Sequence, residues 1–301
     1  MNYEQLLIEL ISNDNRYFVM TAENRAAMRG ITNQIKNNFI DTGITEQTMI
    51  GMAAGLALRG RIPIVHALAT FLTMRAFEFI RSDVGIANLP VKIMGSVAGF
   101  LSEANGPTHQ AIEDISIMRG IPNVNVFCPA DIQDFNLGIR KVLEHPNPFY
   151  IRYLNLPNII EHQEFEIGKA EIFDNGNDVA ILVYGMLFTQ AFNAKKILEE
   201  KGYSVRLLNL RTLKPIDEQT ILKAVDECKL IVTLEDHFIT GGLFTILAEI
   251  LLKNKKTTNV LPLALMDKWF KPALLNDVLE YEGFTAEKIS QTILSKFEEM
   301  I

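Results

Sequence analysis

The strongest constraint on the fold is a rhythm of short apolar runs separated by segments of helical period. The runs YFVMTA (17–22), IPIVHALA (62–69), VKIMGSVAG (91–99), VNVFCPA (124–130) and PFYIRY (148–153) are apolar almost throughout rather than at alternate positions. Strands apolar on both faces belong in a parallel sheet covered by helices on each side. Between them lie stretches such as IQDFNLGIRKVLEH (132–145), with apolar residues at helical spacing. The second half keeps the rhythm. DVAILVYG (178–185) reads as a buried strand, 187–201 as a helix, SVRLLNLRTLKPID (204–217) as a strand and then a turn at Pro215, CKLIVTLED (228–236) as a strand, and GGLFTILAEILLK (241–253) as a helix. A polar stretch, 155–171, separates the halves. The expected fold class is α/β, with two parallel or mixed α/β domains over 1–157 and 169–301 joined by a linker at 158–168.

Several function classes are excluded at this level. A net charge of −7 with no run of basic residues argues against a nucleic-acid surface. No segment approaches the ~18 apolar residues that span a bilayer, and Glu4 and Glu9 interrupt the start where a signal peptide would be apolar. Cys128 and Cys228 are far apart in apolar settings, which fits a reducing, cytoplasmic compartment rather than a disulfide framework. The five histidines (66, 109, 145, 162 and 237) show no paired metal spacing, so no metal site is expected in this chain.

Open α/β sheets bind ligands beyond the carboxyl ends of their strands. That directs attention to 21–25, 40–46, 69–75, 99–110, 128–131 and 152–155. In DTGITEQTMIGMAAGLALRG (41–60), Glu46 opens a smooth apolar helix and shares a face with Met49, Met52, Ala53 and Leu56. It is either a solvent-facing N-terminal glutamate favoured by the helix dipole, or a buried carboxylate aimed at a ligand. In FLSEANGPTHQAIEDISIMRG (100–120), Gly106-Pro107 signals a turn, and His109 follows on a strand-end loop where it could shuttle a proton or make only a local hydrogen bond. Phe71 follows a strand and could stack on a planar ring or belong to the core with Met74 and Phe77. His66 reads as a core histidine and His237 as structural, near an interface. Arg152, at a strand end, could hold a phosphate or make an interdomain ion pair.

Together these segments resemble the transketolase family over essentially the whole chain. DTGITEQTMIGMAAGLAL is similar to the segment bearing the cofactor-activating glutamate, and TFLTMRAFEFIR to the pyrimidine-stacking stretch. NGPTHQAIEDISIMRGIPNVNVFCPAD resembles the segment D-G-x-T-H-Q…R…P-N…P-x-D, and LNLRTLKPID and TLEDHFITGGLFTILAEIL resemble the C-terminal domain. The family's Gly-Asp-Gly…Asn motif, which binds Mg²⁺ and diphosphate, is absent from the sequence. The resemblance therefore implies the C-terminal subunit of a split transketolase, beginning at the pyrimidine-binding domain. It also implies an N-terminal partner subunit that carries Gly-Asp-Gly, Mg²⁺ and diphosphate.

By the same resemblance, Glu46 hydrogen-bonds N1′ of the aminopyrimidine of thiamine diphosphate, and burial favours the protonated acid that could donate there. Phe71 stacks on the pyrimidine, with Met74 in the same stretch. His109 contacts donor hydroxyls and the developing alkoxide. Asn105 replaces the usual aspartate of D-G-x-T-H, Glu23 replaces the common Ala-Asp, and Met74 and Arg75 stand where larger transketolases continue with aromatics. RYLNL is one residue longer than Arg-Gln-Asn-Leu, which weakens Arg152 as a sugar-phosphate ligand. The expected activity is transfer of a two-carbon ketol unit between ketose donor and aldose acceptor, in an α2β2 assembly whose isolated chain forms a dimer at most. The rivals are a deoxyxylulose-phosphate synthase-like or 2-oxoacid dehydrogenase β-type subunit, and a non-catalytic structural subunit.

Overall fold

The computed structural model describes residues 1–24 and 27–300; Arg25, the last residue of the 21–25 strand-end segment, lies outside the described residues. The first six strands are β1 (Tyr17–Thr21), β2 (Phe39–Asp41), β3 (Ile62–Leu68), β4 (Lys92–Ser96), β5 (Asn125–Phe127) and β6 (Phe149–Tyr153). The next six are β7 (Glu171–Phe173), β8 (Val179–Val183), β9 (Val205–Asn209), β10 (Thr212–Lys214), β11 (Leu230–Phe238) and β12 (Asn259–Leu265). They form a seven-stranded sheet in the order β10-β5-β6-β4-β3-β1-β2 and a five-stranded sheet in the order β12-β11-β8-β9-β7. All pairings are parallel except β10 on β5 and β7 on β9. The α/β reading therefore holds, with mixed sheets.

Helices cover both faces of the first sheet, as its two-sided apolar strands require. On one side, α1 (Tyr3–Asn13) buries Leu6, Leu7 and Leu10 against Val19, Ile64 and Met94. Asn2 and Gln5 close its first turn in a reciprocal capping box. On the other side, α2 (Glu46–Leu58) packs Met49, Ile50, Ala53, Ala54 and Ala57 against Met20, Val65 and Ile93. The buried face is thus rotated from the expected one. Met52 is exposed and Leu56 half-buried, because Ala- and Gly-rich α2 carries apolar residues nearly all round and periodicity alone does not choose between adjacent stripes.

β10 comes from the second half of the chain yet closes the edge of the first sheet. Cys128 N–H also donates to Arg211 C=O at 2.7 Å, and Lys214 Nζ donates to the Arg119 carbonyl at 2.9 Å. Beside this crossing, His162 sits buried between the halves. Its Nε2 lies 2.7 Å from Asp131 Oδ2 and its Nδ1 2.8 Å from Glu171 Oε2. Ionised carboxylates only accept, so both ring nitrogens donate and the ring is an imidazolium. Burial opposes that charge, but the bonds to Asp131 and Glu171, with the charges of Asp134 and Glu171, outweigh it and raise the group to about 9. Arg211 joins the cluster through Glu171 at 2.9 Å and Asp134 at 2.8 Å, the latter an ionic contact without an aligned hydrogen bond.

His66 lies in the core with Tyr3 Oη 3.1 Å from its Nε2, and burial lowers it to about 3, so it stays neutral. Both thiols are buried and unpaired. No helix among the described residues is long and apolar enough to cross a membrane.

Candidate active site

The parallel register brings the ends of β1, β3 and β4 level, with Thr21 opposite His66 and Leu68 opposite Ser96. Beyond them opens a cavity of about 420 Å³, mostly apolar, within the range of small-molecule sites. Leu68, Phe71, Ser96 and Val97 form one part of its lining, and Ala22, Glu23 and Ile44 another. Glu46, at the first turn of α2, contributes its carboxylate while being only 1% exposed.

The walls depend on unusual backbone. Val97 has φ +63°, which a β-branched residue adopts only under strain, and such strain concentrates at functional sites. Glu23 has φ +59°, and its N–H donates to Asp41 Oδ1 at 3.1 Å. The same oxygen accepts from Gly43 N–H at 3.0 Å, so one carboxylate ties the β1 rim to the turn before α2. After β3, Ala76 N–H reaches back five residues to the Phe71 carbonyl at 3.2 Å, giving a widened π-type turn. Within this turn the Arg75 guanidinium lies over the Phe71 ring, 4.1 Å from the centroid.

Three residues singled out from the sequence come together here. Glu46 and Phe71 both line the cavity, and the His109 ring meets Phe71 edge-on with centroids 5.2 Å apart. His109 sits half-buried in the turn Pro107–His109, its Nδ1 3.0 Å from the Thr108 hydroxyl. Glu23 also lines the cavity. Asn105 is exposed on the neighbouring loop and donates to Ser102 C=O at 2.9 Å. Met74 is 36% exposed and is not among the described residues lining the cavity. Phe71 lines the cavity and Met74 does not, which separates the pair grouped from the sequence.

Two further expectations are revised. Glu46 is not an isolated carboxylate in apolar surroundings, because Arg75 Nη1 donates to its Oε2 at 2.8 Å, and desolvation is not the only field acting on it. Arg152 is not free to hold a phosphate. It is 3% exposed, its Nε and Nη2 donate to Asp114 at 2.8 and 2.6 Å, and its Nη1 donates to Asp236 at 2.6 Å. Tyr150 Oη adds a 2.6 Å bond to Asp114. Of its two readings, the interdomain ion pair is the one observed. His237 is likewise structural: Ser116 N–H donates to its Nε2 at 3.3 Å, its Nδ1 donates to Phe238 C=O at 2.6 Å, and burial lowers it to about 4. Sequence reasoning gave Val97 no role, and it covered Asp41 and Ile44 only as members of the 40–46 segment; the backbone geometry and the cavity lining mark them individually.

Chemically, a buried carboxylate beside an aromatic face in an apolar cavity can hold a planar heteroaromatic ring by its edge and its face. Among the described residues lining the cavity none is basic, which suits the ring end of such a ligand better than a polyanionic end. No cluster able to hold a metal occurs among the described residues.

Comparison with known proteins matches this geometry to one family. Residues 2–155 match the model of the transketolase pyrimidine binding domain, and residues 168–289 that of the transketolase C-terminal domain. The chain is 37% identical over 257 residues to the 6-deoxy-6-sulfo-D-fructose transketolase subunit of a Clostridium species, covering 84% of this chain and 80% of that one. It is 29% identical over 299 residues to an apulose-4-phosphate transketolase subunit of Phocaeicola vulgatus, covering 97% and 95%. A solved split-gene transketolase, in an inactive beta4 tetramer, superposes with a TM-score of 0.88 at 31% identity, over 98% of this chain and 97% of that one.

Proposed function

The chain belongs to the transketolase family, and on that premise we propose that it is the C-terminal subunit of a split, thiamine-diphosphate-dependent enzyme that transfers a two-carbon ketol unit from a ketose donor to an aldose acceptor. The observation that carries this reading is the buried Glu46 carboxylate set beside Phe71 in one apolar cavity, with His109 against the same ring. We assign the pyrimidine-binding role to 1–157, the linker to 158–168 and the C-terminal domain to 169–301.

Thiamine diphosphate, when bound, supplies the electron sink that allows the donor carbon–carbon bond to break. The residues of this chain hold and orient it. Glu46 would hold the aminopyrimidine by its N1′ edge through the buried carboxyl group. Phe71 stacks on the ring, the apolar wall of Leu68 and Val97 excludes water, and Glu23 faces the thiazolium side. His109, half-exposed at the edge of Phe71, donates to the donor hydroxyls and to the oxygen that gains charge as the bond breaks. Asn105, on the same loop, contributes to donor recognition.

The sequence has no Gly-Asp-Gly, and we assign Mg²⁺ and the diphosphate to an N-terminal partner subunit. The split relatives support this reading, and the beta4 tetramer described as inactive fits a C-terminal section that needs its partner. We propose an α2β2 assembly in the cytoplasm, where buried unpaired thiols persist.

The test is calorimetric titration of thiamine diphosphate with Mg²⁺ into the chain alone and into its mixture with the N-terminal subunit. Tight binding is expected only in the mixture and is lost with Glu46→Ala. A stable complex that binds no cofactor would overturn the catalytic reading in favour of a structural subunit.

A further inference from the structure

Resting on that reading, we infer that Arg75 is a positioning residue for the cofactor's pyrimidine, fixing its edge contact and its stacking contact at once. Arg75 touches both cavity groups, with Nη1 2.8 Å from Glu46 Oε2 and its guanidinium 4.1 Å above the Phe71 centroid. It is not itself among the described residues lining the cavity. Its side chain is 39% exposed, whereas Glu46 is buried, so the guanidinium reaches the carboxylate from outside the cavity wall.

The physical consequence is an orientational lock. A terminal carboxylate turns easily about its last bond. With Oε2 held by a guanidinium, the Oε1 edge is left for the ligand. A phenyl ring under a planar cation has a preferred tilt, and Arg supplies this better than Lys because its fork is flat and rigid. The His109 ring meets Phe71 edge-on, so it too depends on that tilt. Arg75 follows Phe71 by four residues within the same turn, a spacing that sets the two side chains on one face.

The inference is tested in the two-subunit complex with Arg75→Met, which keeps an apolar cover on Phe71 and removes the charge, and with Arg75→Lys. Melting temperatures of the variant chains establish that each is folded. Readouts are the dissociation constant for thiamine diphosphate with Mg²⁺, the near-ultraviolet circular dichroism of the bound pyrimidine, and the separate changes in kcat and donor KM. Arg75→Met is expected to weaken cofactor binding at least tenfold, alter the dichroism, and lower kcat with donor KM changed less than twofold. Arg75→Lys recovers binding in part but not the dichroism. Because Arg75 acts partly through Glu46, Arg75→Met added to Glu46→Gln should weaken binding clearly less than it does alone. Wild-type binding and dichroism in Arg75→Met would overturn the inference alone, as would full additivity with Glu46→Gln. Tighter binding by Arg75→Met would also overturn it, making Arg75 a competitor for the site. A wild-type complex that binds no cofactor would overturn both this and the functional reading.

Discussion

His162 is expected to make stability fall with rising pH across a defined window. Its ring is raised from an ordinary 6.5 to about 9 in the folded protein, which at ~1.4 kcal/mol per pH unit is roughly 3 kcal/mol of preference for the imidazolium. The contribution is complete below about pH 6.5, where the ring is charged both folded and unfolded. Between 6.5 and about 9 the unfolded chain loses the proton first, and the advantage drains away. Above about 9 it is gone. Replacing the ring with glutamine removes the titration and leaves Asp131, Asp134 and Glu171 facing one cation, Arg211. Urea unfolding at intervals from about pH 6 to pH 9.5, on wild type and His162→Gln, isolates the effect, since every other titrating group is common to both. The wild type should be more stable by roughly 3 kcal/mol at about pH 6, with most of the difference lost by about pH 9.5. Parallel pH profiles for the two proteins would refute the imidazolium assignment.

Other perturbations follow from the same structure. Arg152→Leu strands two buried carboxylates, Asp114 and Asp236, and should cost about 3–5 kcal/mol in chemical unfolding. Gly99→Ala would place a methyl 1.6 Å from Asp236 Oδ2 at a residue with φ +58°, and a melting curve should show one of the larger losses available to a single methyl, over ~2 kcal/mol. His109→Ala in the two-subunit complex should lower kcat/KM by roughly a hundredfold while the cofactor's calorimetric dissociation constant moves much less.

Much of the fold was legible because the apolar runs are short, two-sided and separated by helical stretches. β1, β3, β4, β5, β6, β8 and β9 each fall within a run read as a strand, and β11 overlaps its run but continues past it to Phe238. β2 and β7, three residues each and half-buried or polar, carry too little pattern to be seen. β10 was hidden for another reason: Thr212–Lys214 becomes a strand only because β5 offers it an edge, a contact made across the interdomain boundary. In the site, Glu46, Phe71 and His109 announced themselves by type and position. Arg152 did not reveal its fate, since its partners lie 38 and 84 residues away along the chain. Arg75 could be noted but not understood, because its link to Glu46 joins residues 29 positions apart along the chain.

The stitch made by β10 has a consequence for how this chain can be taken apart. A polypeptide ending at the linker would leave β5 with an open flank of unpaired amides and carbonyls, the kind of template on which neighbouring molecules assemble. Conversely, a fragment starting after the linker would carry Thr212–Lys214 with no sheet to join. Chimeras between related subunits therefore need the β10 segment and β5 from the same parent, so that the edge and the strand that completes it match.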